Sequence, residues 1–153
     1  MEVLNERSTA FGLAQRTKKN LKHIELARAN GADVHEVTQI VLSVLGIVII
    51  PWEWHLKDRF TEYILEDLYA NGWPRWNITV GHSKTLSDLT HMLRNATAHG
   101  HYKFSSDERD PKDVWLVIEN IKNRKVTWQA QISAADLKTF CYRFLQVVEN
   151  ETG

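Results

Sequence analysis

Apolar residues follow a helical spacing over much of the first hundred positions, and this spacing limits the possible folds more than any other feature of the sequence. Between residues 10 and 24, small and apolar side chains recur at steps of three and four. This spacing predicts an amphipathic helix from about Ser8 to Ala29, and the Asn30-Gly31 pair that follows predicts its end. Three more helices are indicated before residue 100, so we expect a protein built mainly from packed helices.

The most apolar stretch of the chain runs from Ile40 to Ile50 and is followed directly by Pro51. Before it, Asp33 with Glu36 three residues later resembles a capping box, which predicts the start of a second helix. The stretch has 11 residues, whereas a membrane span needs about 20 apolar residues. We therefore expect a fully buried helix that Pro51 terminates, and no transmembrane segment.

Two further helices are predicted before residue 100. Apolar residues at four-residue steps from Leu56 to Leu68 indicate a third helix, which stops in the segment 71–74 (NGWP). Thr85 and Asp88 have the spacing of a second capping box and predict the start of a fourth helix. The buried side of this fourth helix is expected to consist of Leu86, Leu89, Leu93 and Ala96.

The pattern changes after residue 110, where apolar and polar residues alternate from Val126 to Ile132. Such alternation is typical of a half-buried strand, and segment 114–118 (VWLVI) is its expected partner across a polar turn at 122–124. Ser133 and Asp136 then predict the cap of a last helix. We therefore predict an all-α fold in one domain, residues 1–153: an up-and-down bundle of about five helices with one β-hairpin inserted before the last helix.

Charge and cysteine content limit the classes of function. The 19 basic residues equal the 19 acidic residues, so the net charge does not indicate a general nucleic-acid or membrane binder. The single cysteine, Cys141, cannot form an internal disulfide, which favours a reducing compartment. Residues 1–11 carry acids and lack the apolar core of a signal peptide. We expect a soluble, cytoplasmic protein without a membrane partner.

The segment with the clearest chemical content is 91–104 (HMLRNATAHGHYKF), at the predicted end of the fourth helix. Arg94 is followed by the polar Asn95, and four residues separate Arg94 from His99. Six residues separate Arg94 from His101, and Tyr102 comes next. Gly100 is expected to turn the backbone out of the helix.

This pattern resembles the motif of the HEPN superfamily (higher eukaryotes and prokaryotes nucleotide-binding domains), with the string RNATAH at 94–99 as its core. Many HEPN proteins are metal-independent ribonucleases, often toxins of toxin–antitoxin or phage-defence systems, and they act as dimers whose motifs face each other. The resemblance implies Arg94, Asn95 and His99 as catalytic residues, with His101 and Tyr102 as auxiliary candidates. It implies an RNA substrate, a homodimer, an antitoxin or regulatory partner protein, and no metal or other cofactor.

The residue types suit RNA cleavage on chemical grounds as well. RNA is cut without metal when a base takes the proton of a 2′-hydroxyl and an acid protonates the departing 5′-oxygen. An imidazole serves both tasks near neutral pH because its ordinary pKa is about 6.5. A guanidinium stabilises the growing negative charge on the phosphate through two donors in a fixed fork.

Several other interpretations remain open from the sequence alone. Arg94 and His99 could simply complement the helix dipole, and His99 with His101 could form half of a metal site. The chain could also be a catalytically silent module that binds a nucleotide or a partner, or a scaffold whose hairpin recruits another chain. Four tryptophans are expected to pack at helix junctions or an interface rather than stack on bases: Trp52, Trp54, Trp73 and Trp76.

Overall fold

Helices pack against a four-stranded antiparallel sheet in the computed structural model, which describes residues 6–152 and the side chains of residues 9–151. The five α-helices are α1 (Glu6–Ala29), α2 (Glu36–Ser43), α3 (Leu65–Ala70), α4 (Leu86–His99) and α5 (Ala134–Thr152). The four strands are β1 (Asn77–Val80), β2 (Tyr102–Phe104), β3 (Trp115–Lys122) and β4 (Lys125–Ser133). The strand order in the sheet is β1-β4-β3-β2.

The prediction of an all-α bundle with one inserted hairpin is wrong, because this sheet makes the fold mixed α and β. The predicted hairpin exists as β3 and β4, and its turn residues Asn123 and Arg124 both have positive φ, as a tight two-residue hairpin turn requires. A lone hairpin leaves two unpaired edges. Here β1 pairs with β4 and β2 pairs with β3. Both added strands are too short for a two-residue period to reveal them.

The helix predicted to end at Pro51 continues past it. After α2 the chain forms π-helical turns over Val44–Ile49 and again over Trp52–Leu56. Proline has no N–H and clashes with the preceding turn of a regular α-helix, and the wider π-helical turns on both sides of Pro51 accommodate it. The resulting segment, Glu36–Leu56, has 21 residues and could cross a membrane by length and composition, but half of its apolar window is buried inside the protein, as in a core helix.

The predicted capping box of α2 is also wrong. The N-cap is His35, whose side chain accepts a hydrogen bond from the Thr38 N–H. Asp33 instead pairs with Arg109. Glu36 is fully buried, and its carboxylate oxygens bind Arg28 at 2.6 Å and Lys138 at 2.9 Å. The carboxylate of Glu36 on α2 therefore links this helix to Arg28 of α1 and to Lys138 of α5.

The third predicted helix is broken. A single 3₁₀ turn covers Arg59–Glu62, Tyr63 and Ile64 are extended, and α3 begins only at Leu65. Ile64 forms an isolated β-bridge with Thr85, so tertiary pairing overrides the four-residue period at this point. The bridge holds the start of α4 against the segment before α3.

The core lies between the helices and the inner side of the sheet. Leu116 and Ile118 of β3 are completely buried, as are Phe140 and Phe144 of α5. The Asn120 side-chain amide donates to the Met92 carbonyl at 3.0 Å, which fixes β3 against α4. Cys141 is completely buried on α5 and burial raises its pKa to about 12, so its thiol is a core group and not a nucleophile.

Candidate active site

The position of the RNATAH string is set by the cap and the buried side of α4. The Thr85 hydroxyl accepts from the Asp88 N–H at 3.0 Å, and the Asp88 carboxylate accepts from the Thr85 N–H at 3.0 Å. This is the predicted capping box, and it is confirmed. One side of the helix is completely buried, as predicted: Leu86, Leu89, Leu93 and Ala96. Arg94 and His99 lie outside this buried side and are exposed.

The end of α4 is a left-handed turn at Gly100, which has φ +68°. The His101 N–H reaches back to the Ala96 carbonyl at 2.9 Å, which satisfies one of the free carbonyls at the helix end. The chain then enters β2 at Tyr102. The predicted role of Gly100 is confirmed, and the turn places His101 beside the end of its own helix.

Arg94 and Asn95 lie together on the exposed side of α4. The Arg94 guanidinium Nη1 donates to the Asn95 side-chain carbonyl at 3.2 Å. Arg94 Nε lies 3.9 Å from the Glu53 carboxylate, and the Arg94 side chain is 45% exposed. The guanidinium is thus oriented by two neighbours while it remains open to solvent.

These two residues form one wall of a cleft of about 440 Å³ between α4 and the segment around Trp52–Leu56. His91, one turn before Arg94, lines the same cleft, and its ring lies 5.8 Å from the ring of Trp52. The other lining residues are Trp52, Glu53, Lys57, Asp58, Thr61 and Ser87. The cleft therefore combines cationic, acidic and aromatic groups around Arg94.

His99 and His101 lie together outside this cleft. Their rings stack with centroids 5.8 Å apart and planes inclined by 30°. His99 is exposed, as is Arg94, but a five-residue step on a helix separates the two directions by about 140°. Within one chain, the structure brings Arg94 and Asn95 together and His99 and His101 together, in two adjacent groups.

Beside His101, the sheet carries an ion pair between Lys103 of β2 and Glu119 of β3. The Glu119 N–H donates to the His101 carbonyl at 3.1 Å. The Lys103 ammonium lies 2.7 Å from the Glu119 carboxylate, and Lys103 and the Gln129 amide hold the pKa of Glu119 below its usual value. This pair fixes the start of β2 and therefore the position of His101.

Tyr102 has a structural contact at the end of α4. Its hydroxyl lies 2.9 Å from the Thr97 hydroxyl. Burial raises the pKa of Tyr102 to about 12, so the phenol is un-ionised at neutral pH. The contact joins the first residue of β2 to the last turns of α4.

Sequence reasoning missed the groups that face Arg94 across the cleft. Glu53 and Lys57 are the clearest of them, and their i,i+4 spacing on a helix was the available signal. Trp52 and Trp76 are buried as expected, whereas Trp54 is 47% exposed. Within residues 6–152, no group of three His, Cys, Asp or Glu side chains is arranged to hold a metal ion.

Comparison with models of known protein families identifies the family of this chain. The family described as HEPN pEK499 p136 matches residues 1–153, the whole of the chain. No match was found among curated proteins or among solved structures.

Proposed function

Because the chain belongs to the HEPN family, whose domains are generally ribonucleases or nucleotide-binding modules, we propose that it is a metal-independent endoribonuclease. The proposal extends to a homodimer in which the motifs of two chains complete one catalytic site. The observation that carries it is the exposure of Arg94 and His99 in the last turns of α4, a capped helix with one buried side. Both side chains are exposed enough to meet a ligand.

In the proposed reaction, a histidine takes the proton of a ribose 2′-hydroxyl as its oxygen attacks the adjacent phosphorus. The bond from phosphorus to the 5′-oxygen breaks, and an acid protonates that oxygen. The products are a 2′,3′-cyclic phosphate and a 5′-hydroxyl. His99 is the acid or base in this scheme, Arg94 stabilises the pentacoordinate phosphate, and Asn95 orients Arg94 through the hydrogen bond at 3.2 Å. DNA is spared because it lacks the 2′-hydroxyl.

The positions of these groups support the proposed homodimer. Arg94 and His99 point in directions about 140° apart on one helix, so these two groups of one chain do not converge on the same phosphate. A second chain that packs α4 against α4 by two-fold symmetry supplies another arginine and another histidine. Ala98 is small and lies on the exposed side of α4, so it permits a close approach of the two helices.

The test is cleavage of single-stranded RNA in the presence of EDTA by the wild type and by Arg94→Ala and His99→Ala. We expect each substitution to reduce the rate roughly 10²-fold or more, with no loss of helical content by circular dichroism. Lys125→Ala is the control, because it changes an exposed cation in the β3–β4 hairpin, outside the motif. Equal cleavage by all four proteins excludes Arg94 and His99 from the reaction.

A toxin or phage-defence role, with an antitoxin or regulatory partner that restrains it, is the cellular part of the proposal. Its support is the family membership alone. Expression of the wild type in a bacterial host should arrest growth, and His99→Ala should relieve the arrest. Unchanged growth on expression of folded wild-type protein contradicts this role.

The alternative function is a silent module that binds a nucleotide or a partner protein. The observation that favours it is the pairing of Arg94 with Glu53, together with the equal numbers of acidic and basic residues, since phosphate contacts dominate affinity for nucleic acids. If the chain is such a module, it should bind its ligand without cleaving RNA in the same EDTA assay. Arg94→Ala should then weaken the binding.

A further inference from the structure

The cleft beside Arg94 holds a carboxylate between two cations. Glu53 Oε2 lies 3.2 Å from the Lys57 ammonium and 3.9 Å from Arg94 Nε. The Glu53 side chain is 34% exposed, so solvent and solutes can reach it. One anionic oxygen is therefore shared by a lysine from the Trp52–Leu56 side of the cleft and an arginine from α4.

Lys57 is held in this position by an aromatic support. Its ammonium lies 4.9 Å from the centre of the Trp52 ring, within the range of a cation–π contact. The Trp52 indole N–H donates to the Ser87 hydroxyl at 2.9 Å, and that hydroxyl donates to the Lys57 carbonyl at 2.9 Å. These contacts connect Lys57 to α4 and aim a second cation into the cleft that Arg94 lines.

We propose that Lys57 and Arg94 together form a phosphodiester-binding subsite, and that Glu53 occupies it as an internal competing anion until a nucleic-acid strand displaces it. The identification of the ligand as RNA rests on the proposed function. The subsite itself follows from the charges: two cations converge on one oxygen of an anion, and a phosphate oxygen can take the place of that carboxylate oxygen.

The small free energies of these ion pairs favour exchange of Glu53 for another anion over a permanent ion pair. Exposed salt bridges contribute only about 0.2–1 kcal/mol each, and the Lys57 and Arg94 side chains are 49% and 45% exposed. A phosphodiester that contacts both cations can therefore displace Glu53. Besides Glu53, Lys57 and Arg94, the titratable groups that line the cleft are Asp58 and His91.

The experiment measures binding of an uncleavable strand. The probe is a fluorescein-labelled single-stranded RNA with 2′-O-methyl ribose throughout, which has no free 2′-hydroxyl, and the readout is fluorescence anisotropy over a range of salt concentrations. Glu53→Gln should bind about three- to tenfold more tightly than the wild type, which corresponds to the loss of two weak ion pairs. Lys57→Gln should bind more weakly, with a log–log salt slope reduced by about 0.7.

Two matched variants separate the subsite from general charge effects. Asp67→Asn changes the net charge as Glu53→Gln does, but Asp67 is an exposed residue of α3 outside the cleft, so its affinity should remain near that of the wild type. Lys57→Arg keeps the cation and should restore the binding that Lys57→Gln loses. If Glu53→Gln binds no more tightly than Asp67→Asn, or if Lys57→Gln leaves the salt slope unchanged, the subsite does not exist.

The outcome is distinct from that of the nuclease proposal. If the Glu53 and Lys57 variants shift binding while no variant cleaves RNA, the subsite stands and the ribonuclease proposal fails. If Arg94 and His99 are required for cleavage while binding is insensitive to Glu53 and Lys57, the ribonuclease proposal stands and the subsite fails.

Discussion

The imidazole rings of His99 and His101 stack on each other across Gly100, with their centroids 5.8 Å apart. His99 is the last residue of α4 and His101 lies just before β2. The left-handed conformation of Gly100, with φ +68°, reverses the chain between them. Two imidazoles from different backbone segments therefore form one pair, so the geometry of the motif depends on this turn.

Gly100→Ala tests whether this turn positions the histidines for cleavage. A side chain in the left-handed region costs about 1–2 kcal/mol, and nothing lies within 4 Å of the position that the new Cβ takes. The strain should change the backbone rather than the packing and separate the two rings. We expect a loss of stability of about 1 kcal/mol in urea unfolding and a clear loss of RNA cleavage.

Gly31→Ala is the matched control for that strain. Gly31 follows α1, has φ +84° and also has open space around its Cβ position, but it is not part of the motif. It should lose a similar amount of stability and keep full cleavage activity. Equal activity in the two folded variants contradicts a positioning role for the Gly100 turn.

Mixing two inactive variants tests the composite site. If each catalytic site takes groups from two chains, a heterodimer of Arg94→Ala and His99→Ala contains one intact arginine and one intact histidine. Co-refolding the two proteins should restore a measurable part of the RNA cleavage that both lack alone. Light scattering should give the mass of a dimer, twice the 17.8 kDa of one chain. A monomeric mass, or no recovery on mixing, excludes a shared site.

Tyr102→Phe tests the buried phenol at the end of α4. Burial raises the pKa of Tyr102 to about 12 in the folded protein, whereas the unfolded value is about 10. The folded protein therefore holds the phenol proton more tightly than the unfolded chain does. This preference stabilises the folded state fully below pH 10 and is lost as the pH rises from about 10 towards 12. The wild type should therefore lose about 1 kcal/mol more than Tyr102→Phe between pH 8 and pH 11.

Urea unfolding of the two proteins at both pH values measures this difference. Tyr63, whose pKa is also raised by burial, contributes equally to both proteins and cancels. Parallel losses of stability in the wild type and the variant contradict the assignment to Tyr102.

Gly46→Ala tests the closest approach between α1 and the π-helical turn Val44–Ile49. A Cβ at Gly46 overlaps the side chain of Thr17 on α1, whose hydroxyl is committed to the Leu13 carbonyl at 2.7 Å. Neither side can move easily, so we expect a loss of about 1–3 kcal/mol by urea or thermal unfolding.

Gly12→Ala provides the comparison on the same helix pair. The Cβ that this substitution adds meets only the guanidinium end of Arg16, which is exposed and can rotate away. Alanine in a helix is favoured over glycine by about 0.5–1 kcal/mol, so this variant should be as stable as the wild type or more stable. A neutral Gly46→Ala contradicts the close approach.

The elements that could be predicted from the sequence are those with a long or repeated local signal. The capping box of Thr85 and Asp88, the buried side of α4, the turn at Gly100 and the alternating strand from Val126 are all present in the structure. Each depends on contacts between residues a few positions apart, which spacing alone can reveal. The family resemblance carried by the string RNATAH is also confirmed, over residues 1–153.

The features that depend on distant partners became visible only in the folded chain. Strands β1 and β2 are too short to be specified locally and exist because β4 and β3 offer them free edges. The bridge of Ile64 to Thr85 interrupts an expected helix. The convergence of Lys57 and Arg94 on Glu53 joins residues about forty positions apart. Long-range pairing decides such features because its free energy exceeds the small local preferences that a sequence pattern records.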